Sequence, residues 1–168
     1  MTTDAEKTRQ LHDLVSEGDV VMLTTAADGM LSRPITVAEA GEDHLAFLVS
    51  GATAWVQTLA EALPEAGAVV GVTFADPGRT NYVSLRARAH VNGDRSRVER
   101  LWTPLAQAFF SGPEDPDVCV LEVQVEAGEW WDGPSTGVGR LVALAASALT
   151  GKDMVGDSGD VDLTQRSA

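Results

Sequence analysis

Cysteine, aromatic residues and metal-ligand patterns are all scarce in this 168-residue sequence. It contains one cysteine, Cys119, and Phe, Trp and Tyr together make up 5% of the chain. One cysteine excludes an intramolecular disulfide framework, and because Cys119 lies in an apolar run we expect it to be a small buried side chain. His12, His44 and His90 lie in three separate predicted elements, and no Cys/His spacing matches a metal site. We therefore predict no metal site.

Positive charge is scarce as well. Lysine occurs only at Lys7 and Lys152, and 12 basic residues stand against 25 acidic ones, which gives a formal net charge of −13 and a pI near 4.4. A surface this acidic repels phosphodiester backbones unless basic residues cluster, and they do not cluster here. Nucleic-acid binding is therefore not expected.

Long apolar runs are missing too. No window approaches the roughly 18 consecutive apolar residues of a membrane-spanning helix. Residues 1–7 lack the basic and apolar regions of a secretory signal. We therefore expect no membrane partner and a cytoplasmic location.

The common catalytic motifs do not occur in the sequence. There is no glycine-rich phosphate loop after a strand and no Gly-x-Ser-x-Gly nucleophile turn. Cys119 has no sequence-level partner for nucleophilic catalysis. The residues alone therefore predict no catalytic group.

The strongest pattern that is present is a pair of runs rich in β-branched residues, at 20–25 and 31–37. Ala26-Ala27-Asp28-Gly29 lies between them, and Asp-Gly between such runs is typical of a β-hairpin. Pro34 interrupts the second run, and proline cannot donate a hydrogen bond to a β-ladder. We therefore expect this strand at a sheet edge, at a bulge, or where a ligand replaces a neighbouring strand.

Hydrophobic periodicity predicts five further strands and four helices. The strand patterns cover 44–49, 68–74, 82–92, 118–125 and 129–132, and the helical patterns cover 5–17, 54–63, 96–110 and 137–150. Antiparallel strands with helices inserted between the hairpins favour a closed or partly closed β-barrel. We expect one domain over residues 1–151 and a polar, flexible tail over 152–168.

Two groups of side chains are suited to bind an anion and a planar ring. Arg33 and Ser32 on an irregular strand offer a guanidinium and a hydroxyl to an anionic group. Trp130 or Trp131 at a strand end offers an indole to a planar ligand. The alternatives are an edge arginine paired with a carboxylate and tryptophans packed in the core. The residues alone leave both interpretations open.

Seven short motifs occur once each, in a fixed order, over roughly residues 8–152. They are Leu23-Thr24-Thr25 with Asp28-Gly29, Ser32-Arg33-Pro34, Phe74-Ala75-Asp76-Pro77-Gly78, Asn81-Tyr82-Val83-Ser84, Leu101-Trp102-Thr103-Pro104-Leu105, Gly112-Pro113-Glu114-Asp115-Pro116-Asp117 and Trp131-Asp132-Gly133-Pro134-Ser135. In combination they resemble the general-stress-protein branch of the pyridoxamine 5′-phosphate oxidase-like, FMN-binding split-barrel proteins.

This resemblance implies a fold, an assembly and a cofactor. The fold is mainly β with helices (α+β), a split β-barrel of antiparallel strands with flanking helices, and the protein is a homodimer with FMN in a cleft between the subunits. The activity implied is that of an oxidoreductase acting on an unidentified small molecule through FMN. The cofactor-binding residues implied are Ser32, Arg33, Pro34, Ile35, Thr36, Leu48, Val49, Thr53, Trp55, Tyr82 and Trp131.

The phosphate side departs from the family pattern. Trp55 stands where such proteins often carry a lysine, and Leu48-Val49 replaces their Phe-Thr. Loss of one charge-assisted contact weakens phosphate binding by about ten- to a hundredfold, although the helix start at Thr53 and an arginine from elsewhere offer compensation. Two alternatives therefore stay open: a non-catalytic stress-response binding protein with weak or lost flavin binding, and another cofactor in the same cleft, such as a deazaflavin or haem.

Overall fold

The computed structural model describes residues 13–61, 66–132 and 157–162. These residues contain eight strands, two α-helices and two 3-10 turns. The strands are β1 (Val20–Thr25), β2 (Leu31–Thr36), β3 (Glu39–Ala40), β4 (His44–Ser50), β5 (Ala68–Asp76), β6 (Asn81–Asn92), β7 (Val118–Asp132) and β8 (Asp157–Asp162). The helices are α1 (Ala54–Glu61) and α2 (Arg95–Leu101), and the 3-10 turns are Ala26–Asp28 and Ala106–Ala108.

The predicted hairpin is confirmed. β1 pairs with β2 in antiparallel register, from Val20 opposite Thr36 to Thr25 opposite Leu31. The 3-10 turn between them ends at Gly29, whose φ of 73° is left-handed. Glycine adopts this conformation without steric cost, which is the physical reason that Asp-Gly marks the turn.

One antiparallel sheet holds all eight strands. Its path runs β2-β1-β5-β6-β7-β4-β3, and β8 pairs with β7 beside this path. β2 and β3 lie at opposite ends of the path, yet only Val37 and Ala38 separate them in sequence. The sheet must therefore curl until its two ends approach each other, which makes it a partly closed barrel with a seam between β2 and the β3-β4 edge. Pro34 accordingly lies in an edge strand, as predicted.

β7 holds the sheet together because it has three partners. It pairs with β6 along its length, with β4 through its first half and with β8 through its second. Arg86 lies opposite Ala127 and Ala87 opposite Val125, so Glu126 is the extra residue of a β-bulge. The prediction of two separate strands at 118–125 and 129–132 is therefore wrong, since the ladder to β6 continues through the bulge.

The core lies on both faces of the central strands. β6 buries alternate residues, as its pattern predicts, and Cys119 is buried. The main cluster fills the inside of the curled sheet with residues that include Val21, Leu23, Phe47, Leu85 and Leu121. A second cluster under α2 consists of Ala46, Val98, Leu101, Val118 and Val120. β4 and β7 contribute to both clusters, so the part of the sheet that leads to the seam is held rigidly.

The helical predictions hold in part. α2 ends at Leu101 and a separate 3-10 turn begins at Ala106, because Pro104 between them has no N–H and cannot continue a helix. Of the predicted helix 5–17, residues 13 and 14 are helical, a bend at Val15 follows, and Glu17 and Gly18 form a turn. Its remainder and the predicted helix 137–150 lie outside the described residues. Within the predicted tail, β8 forms a strand instead, because the edge of β7 offers its backbone a partner.

An ion cluster ties α2 to the sheet. Arg97 donates to Glu39 on β3, with Nη1 3.0 Å from Oε2, and to Glu122 on β7, with Nε 2.8 Å from Oε1. His44 lies 3.0 Å from the other oxygen of Glu39. The hydrogen bonds from Arg97 first, and then from His44, lower the pKa of Glu39 from 4.5 to about 2 against the opposing effect of burial. The two carboxylates in turn raise the pKa of Arg97 above its ordinary value.

Candidate functional site

A cleft of about 730 Å³ lies at the seam of the barrel. Its walls are β2, the end of β4, the start of α1 and the segment that follows α2. Small-molecule sites have volumes of about 300–1,000 Å³, so the cleft is of a size to hold one ligand. The residues that line it are Glu17, Gly18, Val20, Arg33, Pro34, Ile35, Thr36, Val37, Ala38, Leu48, Val49, Ser50, Thr53, Trp55, Thr103, Pro104, Leu105, Ala106, Phe109 and Phe110.

β2 forms the first wall because it is an edge strand. Arg33 lies opposite the core residue Leu23, so its side chain projects to the inner face of the sheet. Pro34 and Thr36 alternate with it and project to the other face, yet they line the cleft as well. The cleft therefore runs along the edge of β2 that pairs with none of the other seven described strands.

Two of the contacts of Arg33 hold its guanidinium in the cleft. Nη1 donates to Oγ1 of Thr25 at 2.9 Å, and Thr25 is fully buried at the end of β1. The guanidinium carbon also lies 4.6 Å from the centroid of the Trp55 ring. This distance is within the range of a cation–π interaction. A polar and an aromatic neighbour therefore both help to fix the basic residue of the site.

The start of α1 forms the second wall. Both the backbone N–H and the hydroxyl of Thr53 donate to the Ser50 carbonyl, at 3.1 and 2.7 Å, and this turn directs the chain from β4 into the helix. The first N–H groups of an α-helix have no acceptor within the helix and carry partial positive charge. Because Ser50 and Thr53 both line the cleft, this end of the cleft suits a polar or anionic group.

The segment after α2 forms the third wall, which is apolar. Phe110 packs near Trp102, with ring centroids 6.3 Å apart, and both rest against the second core cluster. Phe109 follows the 3-10 turn and leaves 73% of its surface exposed. The sequence placed Phe109 in the predicted helix 96–110 and predicted no site residue there. Pro104 indicates in the sequence that the helix is interrupted here, but no local pattern places the following segment beside the seam.

The charge of the lining is low. Among the lining residues within 13–61, 66–132 and 157–162, Arg33 is the only basic and Glu17 the only acidic side chain. The walls otherwise consist of aliphatic, aromatic and hydroxyl side chains and backbone. Such a surface favours a ligand with an uncharged, largely apolar body and at most one compact anionic group.

The cleft brings together eight of the eleven site residues predicted from the sequence. These are Arg33, Pro34, Ile35, Thr36, Leu48, Val49, Thr53 and Trp55. The other three, Ser32, Tyr82 and Trp131, lie elsewhere. Tyr82 and Trp131 are direct neighbours across the β6-β7 ladder, and Ser32 bonds to Thr24 across the β1-β2 ladder at 2.6 Å.

These three residues lie on the outer face of the sheet. Val20 and Met22 project to the same face, and they are exposed together with Tyr82 and Trp131. We call Val20, Met22, Tyr82 and Trp131 the outer apolar patch. Val20 also lines the cleft, so the patch and the cleft adjoin each other.

Two other kinds of site were tested in the described part of the chain. In residues 13–61, 66–132 and 157–162 no group of three or more His, Cys, Asp or Glu side chains is placed to hold a metal ion. Over the same residues no helix combines the length and apolar character needed to cross a bilayer. Within these residues the cleft is therefore the candidate functional site.

The curled sheet and its seam cleft define a split-barrel protein with a ligand-sized site at the edge of β2. The chain belongs to the pyridoxamine 5′-phosphate oxidase-like family, whose model matches residues 6–155. The resemblance found in the sequence is thereby confirmed. None of the curated proteins matches the chain significantly.

Solved structures confirm the fold. A candidate general stress protein 26 from Jannaschia sp. CCS1 is 22% identical with a TM-score of 0.76, and the match covers 94% of this chain and 99% of that one. The general stress FMN/FAD binding protein from Xanthomonas citri is 22% identical with a TM-score of 0.65, covering 77% and 90%. An F420 reductase is 17% identical with a TM-score of 0.51, covering 70% and 94%. The α+β split barrel predicted from the sequence is the fold of all three.

Proposed function

We propose that the protein binds a flavin-type cofactor, FMN, in the seam cleft and acts as an oxidoreductase on a small molecule in the cytoplasm. The observation that carries this proposal is the cleft itself, which brings Arg33, Thr53 and Trp55 together with apolar and hydroxyl-bearing side chains around one ligand-sized volume. Structural neighbours named as an FMN/FAD binding protein and an F420 reductase support a cofactor of this class.

The residues present fit such a group. The apolar wall of Leu105, Phe109 and Phe110 suits a planar ring, and the backbone of edge strand β2 suits its polar edge. Arg33 and the start of α1 at Thr53 would hold the phosphate. When bound, a flavin supplies hydride or electron transfer, and the protein contributes binding, orientation and exclusion of water.

We expect FMN to bind at least tenfold more tightly than riboflavin, which lacks the phosphate. The ratio follows because a hydrogen bond to a charged group contributes about 1.5–3 kcal/mol. Arg33→Met should reduce the affinity for FMN by about ten- to a hundredfold and leave riboflavin unchanged. Titration of the apo-protein, followed by flavin fluorescence, measures both constants.

Arg79→Met is the matched control for this titration. Arg79 lies in the turn between β5 and β6, and its side chain is 83% exposed, so both affinities should stay at the wild-type values. If neither flavin binds the wild-type protein, the flavoprotein proposal is wrong. Binding of a deazaflavin or of haem in that case would identify the cofactor that occupies the cleft instead.

We further propose that the outer apolar patch contacts a second copy of the chain. The patch adjoins the cleft at Val20, and the resemblance places Tyr82 and Trp131 at the cofactor although neither lines the cleft of its own chain. A symmetric dimer would bring the patch of one copy against the cleft of the other. Ser32, Tyr82 and Trp131 would then complete the site from the partner.

Met22→Arg is expected to weaken this dimer. A charge buried in the centre of an apolar contact should raise the dissociation constant about 30-fold or more. Light scattering after size exclusion should give the mass of two 17.7 kDa chains for the wild-type protein and of one chain for the variant. Gln57→Arg adds the same charge on an exposed position of α1 and should leave the dimer intact. A monomeric wild-type protein would contradict the proposal.

The second candidate function is a non-catalytic stress-response binding protein. Trp55 is the specific observation in its favour, because an indole stands where the family often carries a lysine, and Arg33 is the only basic group among the described lining residues. The same titration distinguishes the two functions. Micromolar or weaker binding, with no preference for FMN, would favour the non-catalytic protein.

A further inference from the structure

We infer that Trp55 and Thr25 are positioning residues, which hold the guanidinium of Arg33 as a fixed receptor for a phosphate or carboxylate in the cleft. The inference rests on the proposed function, because it specifies how that site recognises the anionic end of its ligand. It assigns a role to Trp55, which stands where the family often carries a lysine, and to Thr25, which is not among the site residues predicted from the sequence.

The contacts of Arg33 restrict the conformation of its side chain. A long arginine side chain loses rotamer freedom when it binds a ligand, and this loss weakens binding. Here Thr25 and Trp55 hold the side chain through a 2.9 Å hydrogen bond and a ring contact at 4.6 Å. Much of the conformational entropy is therefore lost before any ligand arrives.

Thr25 and Trp55 are themselves fixed by burial. The Thr25 hydroxyl is on a fully buried residue of β1, and Trp55 is half-buried against the main core cluster. Their packing therefore prevents both side chains from moving into solvent with Arg33. The guanidinium therefore stays in the cleft, where Arg33 and Thr53 are both part of the lining.

The chemistry of the group indicates its ligand. A guanidinium presents several N–H donors in one plane and pairs with two oxygens of a phosphate or carboxylate, whereas an ammonium acts as a point charge. A tryptophan face stabilises a guanidinium stacked on it without competing for its in-plane donors. An arginine stacked on an indole can thus bind the anionic group that a flexible lysine binds in other members of the family.

The test measures binding of three probes by calorimetry: FMN, riboflavin and inorganic phosphate. Trp55→Leu should weaken FMN about three- to thirtyfold with riboflavin unchanged, and Trp55→Phe should restore most of the loss because it keeps an aromatic face. Thr25→Val should weaken FMN about three- to tenfold. Thr58→Val, which removes a hydroxyl bonded to the Ala54 carbonyl outside the lining, is the matched control and should change neither.

The outcomes separate this inference from the proposed function. Equal weakening of FMN and riboflavin in Trp55→Leu would mean that Trp55 contacts the ring, and it would overturn the positioning role while flavin binding stands. Suppose that neither flavin binds but phosphate does, and that the variants rank by phosphate affinity in the order expected for FMN. The positioning role then stands and the flavoprotein proposal fails. No binding of any probe overturns both. Melting curves verify folding, and Thr25→Val keeps the test valid if Trp55→Leu does not fold.

Discussion

Replacing Phe47 with alanine is expected to lower the free energy of unfolding by about 3–5 kcal/mol. Phe47 lies in β4, is 0% exposed and belongs to the main core cluster. β4 pairs with β3 on one side and β7 on the other, so the backbone cannot move in to fill the cavity that the ring leaves. Urea denaturation followed by circular dichroism measures the loss.

The matched control is Phe109→Ala. Phe109 loses the same ring from a side chain that is 73% exposed, so the change in stability should stay within about 0.5 kcal/mol. Both variants should also weaken ligand binding, but for different reasons. Phe109 lines the cleft, so its loss removes a wall contact directly. Phe47 directly precedes Leu48 and Val49, which line the cleft, so its loss should weaken ligand binding through the fold. Equal destabilisation by the two variants would contradict the assignment of the core.

Removing the cation of the ion cluster is expected to cost about 2–4 kcal/mol of stability. In Arg97→Met the carboxylates of Glu39 and Glu122 lose their shared partner, and the Arg97 side chain is only 14% exposed. Breaking a buried ion pair from one side leaves uncompensated charge; here both carboxylates keep some contact with water, which reduces the penalty. Thermal and urea unfolding at pH 7 measure it.

The pH dependence of stability provides an independent measurement on the same cluster. The pKa of Glu39 is about 2 in the folded protein against 4.5 ordinarily. The unfolded chain therefore binds more protons between these values, so the stabilisation from Glu39 is complete above about pH 4.5 and is lost as the pH falls to about 2. We expect this to contribute about 2 kcal/mol after allowance for screening, and to shrink in Arg97→Met.

Two variants control for the Arg97 result. Arg100→Met removes a basic group from an exposed position of the same helix and should change stability by less than about 0.5 kcal/mol. The triple variant Arg97→Met, Glu39→Gln, Glu122→Gln removes all three charges together and should recover part of the loss. An Arg97→Met protein as stable as wild type, with an unchanged acid transition, would show that the cluster contributes nothing to the fold.

The places where sequence and structure disagree have a common physical cause. Residues 126–128 contain a glutamate, an alanine and a glycine, which are disfavoured in strands, so the sequence predicted a break. The continuous β6 ladder overrides that local preference and turns the interruption into a bulge. The tail residues of β8 likewise lack a strand pattern of their own and acquire one from the edge of β7.

Some residues of the site could be identified from the sequence and others could not. Arg33 and Pro34 could be identified because a charged residue and a proline in a strand are locally unusual, and edge position explains both. The wall at Leu105 and Phe109 could not, since apolar residues at helical spacing look the same whether they face a core or a cleft. Pro104 interrupts the helix before this wall, but the wall lies beside the seam only because the fold brings it next to β2, which is distant in sequence.

The sequence by itself determined the elements whose signals are local: the Asp-Gly hairpin, the alternation of β6, the interruption at Pro104 and the family. Turn chemistry and side-chain period act over a few residues, so they can be read without a fold. Only the tertiary structure decided that β2 is the free edge of a curled sheet, that Arg33 lies on Trp55 beside Thr25, and that Tyr82 and Trp131 face outward. These depend on contacts between residues distant in sequence, which arise only when the sheet closes on itself.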